Sequence, residues 1–307
     1  MPAHQHNHNE HGHSHAHTAD TTGKAFVIGI ALNMGYVVVE TTMGLLHHSM
    51  SLVADAGHNL GDVAGLILSW LAFRLARIKP SGTFTYGYKK TTILAALINA
   101  VILLVSVGLL GYESVRHIFE PRVIEGGMMA IVAGVGIVVN FGSAMLFTSH
   151  RHELNSRGAY LHLMADAAVS LAVVIAGIII RYTGMYWIDG IVSLVILLVI
   201  LVSTWSMLTS SLKLSLDAVP DHIRKEEIEH FIASIPGVEA VRHIHIWAMS
   251  TSETALTAHL VLADKLSFAE KLKLVHHVKH ELQHKDIQHA TIEMDAAGAH
   301  DDMCNEE

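Results

Sequence analysis

Apolar residues run almost uninterrupted through the first two thirds of the chain, then give way to short alternating stretches. Six apolar runs, at approximately 25–46, 51–76, 91–115, 126–148, 158–181 and 187–210, each approach the ~20 residues that a helix needs to cross a ~30 Å hydrocarbon core. The linkers are short except for 77–90, where Pro80, Gly82 and Gly87 exclude a continuing helix. Past Ser211 the pattern changes. Pro220 and Asp221 act as start signals for a helix over Asp221 to Ser234. Val238 to Ala248 and Thr254 to Val261 alternate as half-buried strands do. Phe268 to His284 carries Leu272, Val275, Val278 and Leu282 at helical spacing, and Ala290 to Met294 reads as a closing strand. The predicted fold is a polytopic α-helical membrane protein with six transmembrane helices plus a small α/β domain of αββαβ order. The expected divisions are a disordered tail over 1–23, a membrane domain over 24–212, the α/β domain over 213–295 and an acidic tail over 296–307.

Polar residues inside the apolar runs change the picture most. Runs two and five each contain His-x-x-x-Asp: His58 with Asp62, and His162 with Asp166. Positions i and i+4 share a helix face, so each run offers one imidazole and one carboxylate pointing the same way. If the two helices touch, four ligands surround one point, a set that suits zinc. A carboxylate at mid-bilayer costs about 2.5–3.5 kcal/mol on insertion scales, and neither run has a lysine or arginine near its aspartate. A dication or protons remain to neutralise the pair. Asp55 lies on the same stripe as His58 and Asp62; it either orients a ligand or faces a water-filled vestibule. Asn33, Tyr36 and Glu40 form a stripe in run one, with Glu40 expected to line an aqueous path. Asn99 and Asn140 are expected to make helix–helix hydrogen bonds. Asp189 reads as a helix N-terminal residue favoured by the dipole.

Composition narrows the function. The mean hydropathy is +0.41, and only 16% of residues are charged. The net charge of -8 leaves no basic footprint for nucleic acid. A lone cysteine, Cys304, excludes a disulfide framework and a thiolate metal cluster within one chain. The polar, histidine-rich start predicts no secretory signal peptide. Among the 25 histidines, His4, His6, His8, His11, His13, His15 and His17 punctuate a low-complexity tail suited to weak, exchangeable metal capture by neutral imidazoles. Arg74, Arg77, Lys79, Lys89, Lys90, Arg151 and Arg157 fall on one side of the predicted spans, against Arg116, Arg122 and Arg181 on the other. That excess places both termini in the cytoplasm.

These features together resemble the cation diffusion facilitator family, and most closely its bacterial zinc-efflux branch. The resemblance runs from about residue 24 to 295. It rests on the two His-x-x-x-Asp motifs, the stretch from Ser51 to His58, Phe84 to Tyr88, Ile93 to Ala96, and His243 to Trp247. It implies a proton-coupled antiporter that exports divalent metal from the cytoplasm and a homodimer whose cytoplasmic domains associate and bind further metal. The transport site it implies is His58, Asp62, His162 and Asp166. A first motif that begins with His points to zinc, with cadmium or cobalt as secondary substrates, and imidazole chemistry agrees. The cytoplasmic ligand positions it implies are His243, His259 and Asp295, where zinc acts as a regulatory ligand. Lys89 replaces a histidine that many relatives carry after Tyr-Gly-Tyr, and Glu293 stands where some have histidine. His245 and His289 are candidates from local pattern alone, and His276, His277, His280 and His284 read as an exposed polar face. The membrane expected is a bacterial inner membrane.

Two rival classes stand beside the antiporter. A zinc hydrolase needs an open coordination position and a general base, whereas the proposed site is filled by the four ligands of the two His-x-x-x-Asp motifs. A metal buffer or sensor would bind without transporting. The chain also lacks a phosphate-binding Gly-rich loop with Lys-Ser/Thr, which argues against a nucleotide-driven pump.

Overall fold

A computed structural model describes residues 16–146 and 154–295, with side chains over 31–145 and 160–295. The elements are α1 (Ala16–Leu46), α2 (Met50–Ala76), α3 (Thr91–Phe119), α4 (Gly126–Leu146), α5 (Leu154–Thr183), α6 (Trp187–Ser215), α7 (Lys225–Ala233), β1 (Val238–Ala248), β2 (Thr254–Leu262), α8 (Phe268–Gln283) and β3 (His289–Asp295). Among the described residues five helices, α2 to α6, are long and apolar enough to cross a membrane. Apolar side chains on them stand exposed, including Leu109, Val138 and Val202, as lipid-facing positions do. The helix α1 begins at Ala16, inside the stretch expected to be disordered through residue 23. Extending an existing helix by a turn needs no new nucleus. His4 to His15 and the tail after Asp295 lie outside the described residues, as does Arg151.

The chain divides into two units: residues up to Val63 with Ser106–Ile200, and Ala64–Val105 with Leu201–Glu307. In the first, α4 and α5 meet at two glycines. A Cβ on Gly177 would stand 2.7 Å from the Gly126 carbonyl oxygen and 2.9 Å from the Ala130 nitrogen. Small residues are what let two helix backbones approach so closely. Leu52, Met129, Ala133, Val173, Ala176 and Ile180 fill the core around that crossing.

Asp189 does more than sit in the first turn of α6. Its carboxylate accepts from Ser49 Oγ at 2.8 Å, Met50 N at 2.6 Å, Ser51 N at 3.1 Å and Ser51 Oγ. It therefore caps the N-terminus of α2 from another helix, satisfying amide groups that no residue within α2 can reach. Asp189→Ala is expected to cost about 2 kcal/mol or more, from the lost cap and the orphaned donors. A lower thermal midpoint of the full-length protein in detergent checks it; an unchanged midpoint contradicts the capping role.

In the second unit β1 pairs antiparallel with β2, and β2 pairs parallel with β3, in the order β1-β2-β3. Leu256, Ala258, Leu260 and Leu262 alternate along β2 into one core with Ile228 and Ile232 of α7 and Val275, Val278 and Leu282 of α8. The α8 N-terminus carries a capping box, Ser267 with Glu270, and those hydrogen bonds hold the Glu270 carboxyl below its usual range. The helix α7 starts at Lys225, not at Asp221. Asp221 instead accepts from Ser210 Oγ at 3.1 Å and lies 3.8 Å from Lys213 Nζ, while Pro220 closes a turn with Ile223. The 77–90 segment is a run of turns. Within this unit it docks on the α/β fold: Lys89 Nζ meets Glu253, Lys90 Nζ lies 2.6 Å from Asp217, and the Tyr86 ring stands edge-on to His289 at 5.5 Å.

Candidate metal centres

The two His-x-x-x-Asp pairs meet. His58 and Asp62 come from α2, His162 and Asp166 from α5, and all four lie in the first unit. His58 Nε2 is 3.7 Å from Asp62 Oδ2 and 3.7 Å from Asp166 Oδ1. His162 Nε2 is 3.1 Å from Asp62 Oδ2 and 3.6 Å from Asp166 Oδ2. The imidazole rings stand 6.0 Å apart, nearly perpendicular. Tetrahedral zinc with bonds of ~2.0–2.1 Å sets its ligand atoms roughly 3.3 Å apart, and the four His–Asp spacings bracket that value. Asp166 turns a different oxygen to each imidazole. It is the most buried of the four, at 3% exposure, whereas His162 is 48% exposed. The ring of contacts is thus closed at Asp166 and open at His162. Asp166 Oδ2 and His58 Nδ1 have no hydrogen-bond partner among the described residues, which leaves the carboxylate oxygen available to a cation.

The tetrad is looser than a structural metal cage. Among the described residues, the His, Cys, Asp and Glu group whose three ligand atoms all lie within 4.8 Å of one another is His259, Glu293 and Asp295 in the second unit. His259 Nε2 is 3.5 Å from Glu293 Oε2, and His259 Nδ1 is 3.4 Å from Asp295 Oδ2. Parallel pairing of β2 with β3 sets His259 beside Glu293, and Asp295 follows two residues on. His243 joins them: its ring is 5.1 Å from that of His259. It sits in the irregularity between Arg242 and His245, with φ of 48°, a left-handed backbone rare for a non-glycine residue. Glu293 was not among the expected ligands. The period of two that places Glu293 and Asp295 on one face of a strand was the available signal.

Other expected positions fall differently. Lys89 is engaged by Glu253, so the 77–90 loop presents an ion pair where a ligand was in question. His245 lies in β1, and His289 opens β3 against Tyr86. His276, His277 and His280 stand exposed on α8 and His284 at its C-terminal cap, and His280 stacks edge-on with His284 at 5.0 Å. Glu40 does not line an aqueous path: it is 0% exposed and accepts from Tyr36 Oη at 2.7 Å. Asp55 neither orients His58 through a hydrogen bond nor faces a vestibule; it is buried and accepts from Ser170 Oγ at 3.2 Å. Asn140 was expected to bond across helices, yet neither polar atom of its amide finds a partner among the described residues.

Comparison with known proteins matches residues 26–214 to the cation efflux transmembrane domain and residues 220–297 to the cytoplasmic domain of cation efflux proteins. The chain is 32% identical over 276 residues to a protein of Bacillus subtilis (strain 168) named cadmium, cobalt and zinc/H(+)-K(+) antiporter, covering 89% of this chain and 88% of the relative. It is 33% identical over 276 residues to the metal cation efflux system protein CzcD of Cupriavidus metallidurans, covering 89% and 87%. It is 33% identical over 289 residues to the zinc transporter ZitB of Escherichia coli (strain K12), covering 93% and 91%.

Proposed function

The chain belongs to the cation diffusion facilitator family of cation-efflux transporters, and from that premise we propose that it is a proton-coupled antiporter that exports zinc from the cytoplasm, with cadmium and cobalt as secondary substrates. The observation that carries the reading is the ring of four contacts, in which each imidazole reaches both carboxylates at 3.1–3.7 Å. Two neutral imidazoles and two carboxylates carry a formal charge of minus two, matched to a dication. Relatives named for zinc, cadmium and cobalt support the substrate class.

The mechanism follows from competition. Zinc binds neutral imidazole and ionised carboxylate, so protons and metal contend for the same atoms. Metal enters from the cytoplasm and binds the tetrad as protons leave. Helices α2 and α5, which carry the four ligands, then tilt to open the tetrad outward. Protons from the outside displace the metal and support the return. The loose ring at the tetrad suits a cargo that must leave, in contrast to the tighter triad at His259.

The proposal extends to the rest of the molecule. The helix α1 supplies the sixth span, and the loop charges keep both termini in the cytoplasm. The membrane is a bacterial inner membrane. Two copies associate through their cytoplasmic domains, where His243, His259, Glu293 and Asp295 hold regulatory zinc. The histidines from His4 to His17 gather metal near the entrance.

Binding measurements at two pH values test the shared site. Two imidazoles that must be neutral to bind, and carboxylates that must be ionised, make zinc affinity fall as pH drops from roughly 7.5 to 5.5. Calorimetric titration of the purified full-length protein checks this. Affinity that does not fall with acidification contradicts a site shared by zinc and protons.

A further inference from the structure

A second polar cluster lies in the same unit as the tetrad. Glu40 of α1, Asp55 of α2 and Ser170 of α5 are 0% exposed, and Asn59 of α2 is 2% exposed. Tyr36 Oη donates to Glu40 Oε1 at 2.7 Å, and Ser170 Oγ donates to Asp55 Oδ2 at 3.2 Å. The two pairs meet at α4, where a Cβ on Gly136 would come against both Tyr36 Oη and Ser170 Oγ. Among the described residues, the second oxygens, Glu40 Oε2 and Asp55 Oδ1, have no hydrogen-bond partner, and neither do the two polar atoms of Asn59.

The groups that face this pair are few. Tyr36 comes from α1, His58 from α2 and Asp166 from α5. The helix α4 has no ionisable residue over its length. The stretches that build the cluster, 36–40, 55–59 and 166–170, contain no lysine or arginine. Two neighbouring carboxylates without a cationic side chain repel each other, and burial makes that repulsion worse. One proton removes a charge and turns one orphan oxygen into a donor, which the other carboxylate can accept. The Asn59 amide can then donate to the oxygen that stays ionised.

We propose that Glu40 and Asp55 form a second cation site, separate from the metal tetrad, that holds one proton shared between the two carboxyl groups and exchanges it during the transport cycle. The step balances simply: the proton adds to a carboxylate oxygen and leaves from it, with no other bond made or broken. The placement couples the site to the tetrad. Asp55 precedes His58 by three residues on α2, Ser170 follows Asp166 by four on α5, and Glu40 stands on α1, which carries no tetrad ligand. Movement of α2 and α5 against α1 parts Asp55 from Glu40 and frees each carboxyl to give up or take a proton. The exchange rests on the antiport reading; the shared proton does not.

Infrared difference spectroscopy on the full-length protein in nanodiscs tests the shared proton. At neutral pH the wild type is expected to show a protonated-carboxyl C=O band that Glu40→Gln loses. Zinc affinity measured against pH tests the exchange. The slope of log Kd against pH counts protons released, and it is expected to fall by about one in Glu40→Gln while zinc still binds. If Glu40→Gln does not fold, Asp55→Asn takes its place in both measurements, and the wild-type band stands alone as a readout. No band in the wild type, or a band that survives both substitutions, overturns the shared proton. A cluster without a band whose zinc transport instead follows added potassium or sodium is a monovalent-metal site, and that outcome overturns it too. A slope unchanged by Glu40→Gln overturns the exchange. Failure of the antiport reading shows differently: zinc then binds but is not moved by a pH gradient, and the infrared band remains.

Discussion

Asp166→Ala is expected to abolish zinc transport while the protein remains folded and keeps its oligomeric state. Asp166 is the one ligand sealed in the protein, and it offers one oxygen to each imidazole at 3.7 and 3.6 Å. Its loss removes a ligand and half the negative charge together. Losing an outer partner of a metal ligand already costs about 10–100-fold in affinity, so losing the ligand itself costs at least that. Folding has little to lose, because Asp166 Oδ2 has no hydrogen-bond partner among the described residues. Zinc flux through reconstituted protein, with size-exclusion profiles of the same preparation, checks both halves. Normal flux through Asp166→Ala contradicts the tetrad.

Gly177→Val is expected to fail earlier, at folding. The space where its side chain would start is occupied by the Gly126 carbonyl and the Ala130 backbone, and the reciprocal position at Gly126 meets the Gly177 carbonyl. Backbone on both sides of a contact cannot step aside as a side-chain tip can. Overpacking ordinarily costs about 1–3 kcal/mol, and this case lies at or beyond the upper end. Gly134→Ala on α4 is the control, since nothing lies within 4 Å of a Cβ there. The yield of monodisperse protein and the thermal midpoint separate the two. A Gly177→Val protein as stable as Gly134→Ala means that α4 and α5 do not meet at these glycines.

The parts of this structure legible in the sequence are those written in short periods. The apolar runs mark the helices from α2 to α6, and the i,i+4 spacing of His58 with Asp62 and His162 with Asp166 marks a shared face. Alternation along residues 254–261 marks β2. What resisted reading is long-range. Asp189 looks like a first-turn acid of its own helix, yet its partners lie about 140 positions earlier in the chain, at Ser49 to Ser51. Asp55 and Glu40 look like two separate polar positions; only the fold gives them Ser170 and Tyr36, whose hydroxyls meet at Gly136. Pro220 and Asp221 carry the right chemistry to start a helix, but Ser210 and Lys213 compete for the same carboxylate and the helix waits until Lys225. Glu293 shares a strand face with Asp295 by the period of two, but its neighbour His259 comes only from the register of β3 on β2. A side chain whose partner is distant in sequence carries no local signal of its choice.

The central claim is that zinc crosses the membrane in exchange for protons at the tetrad. Its most direct measurement uses full-length protein in sealed proteoliposomes with a zinc-sensitive dye inside and an imposed pH gradient. With the lumen acidic, zinc added outside is expected to accumulate inside, and collapsing the gradient with a protonophore should stop the accumulation. Protein that binds zinc at the tetrad yet moves none under the imposed gradient contradicts antiport and leaves a metal buffer in its place.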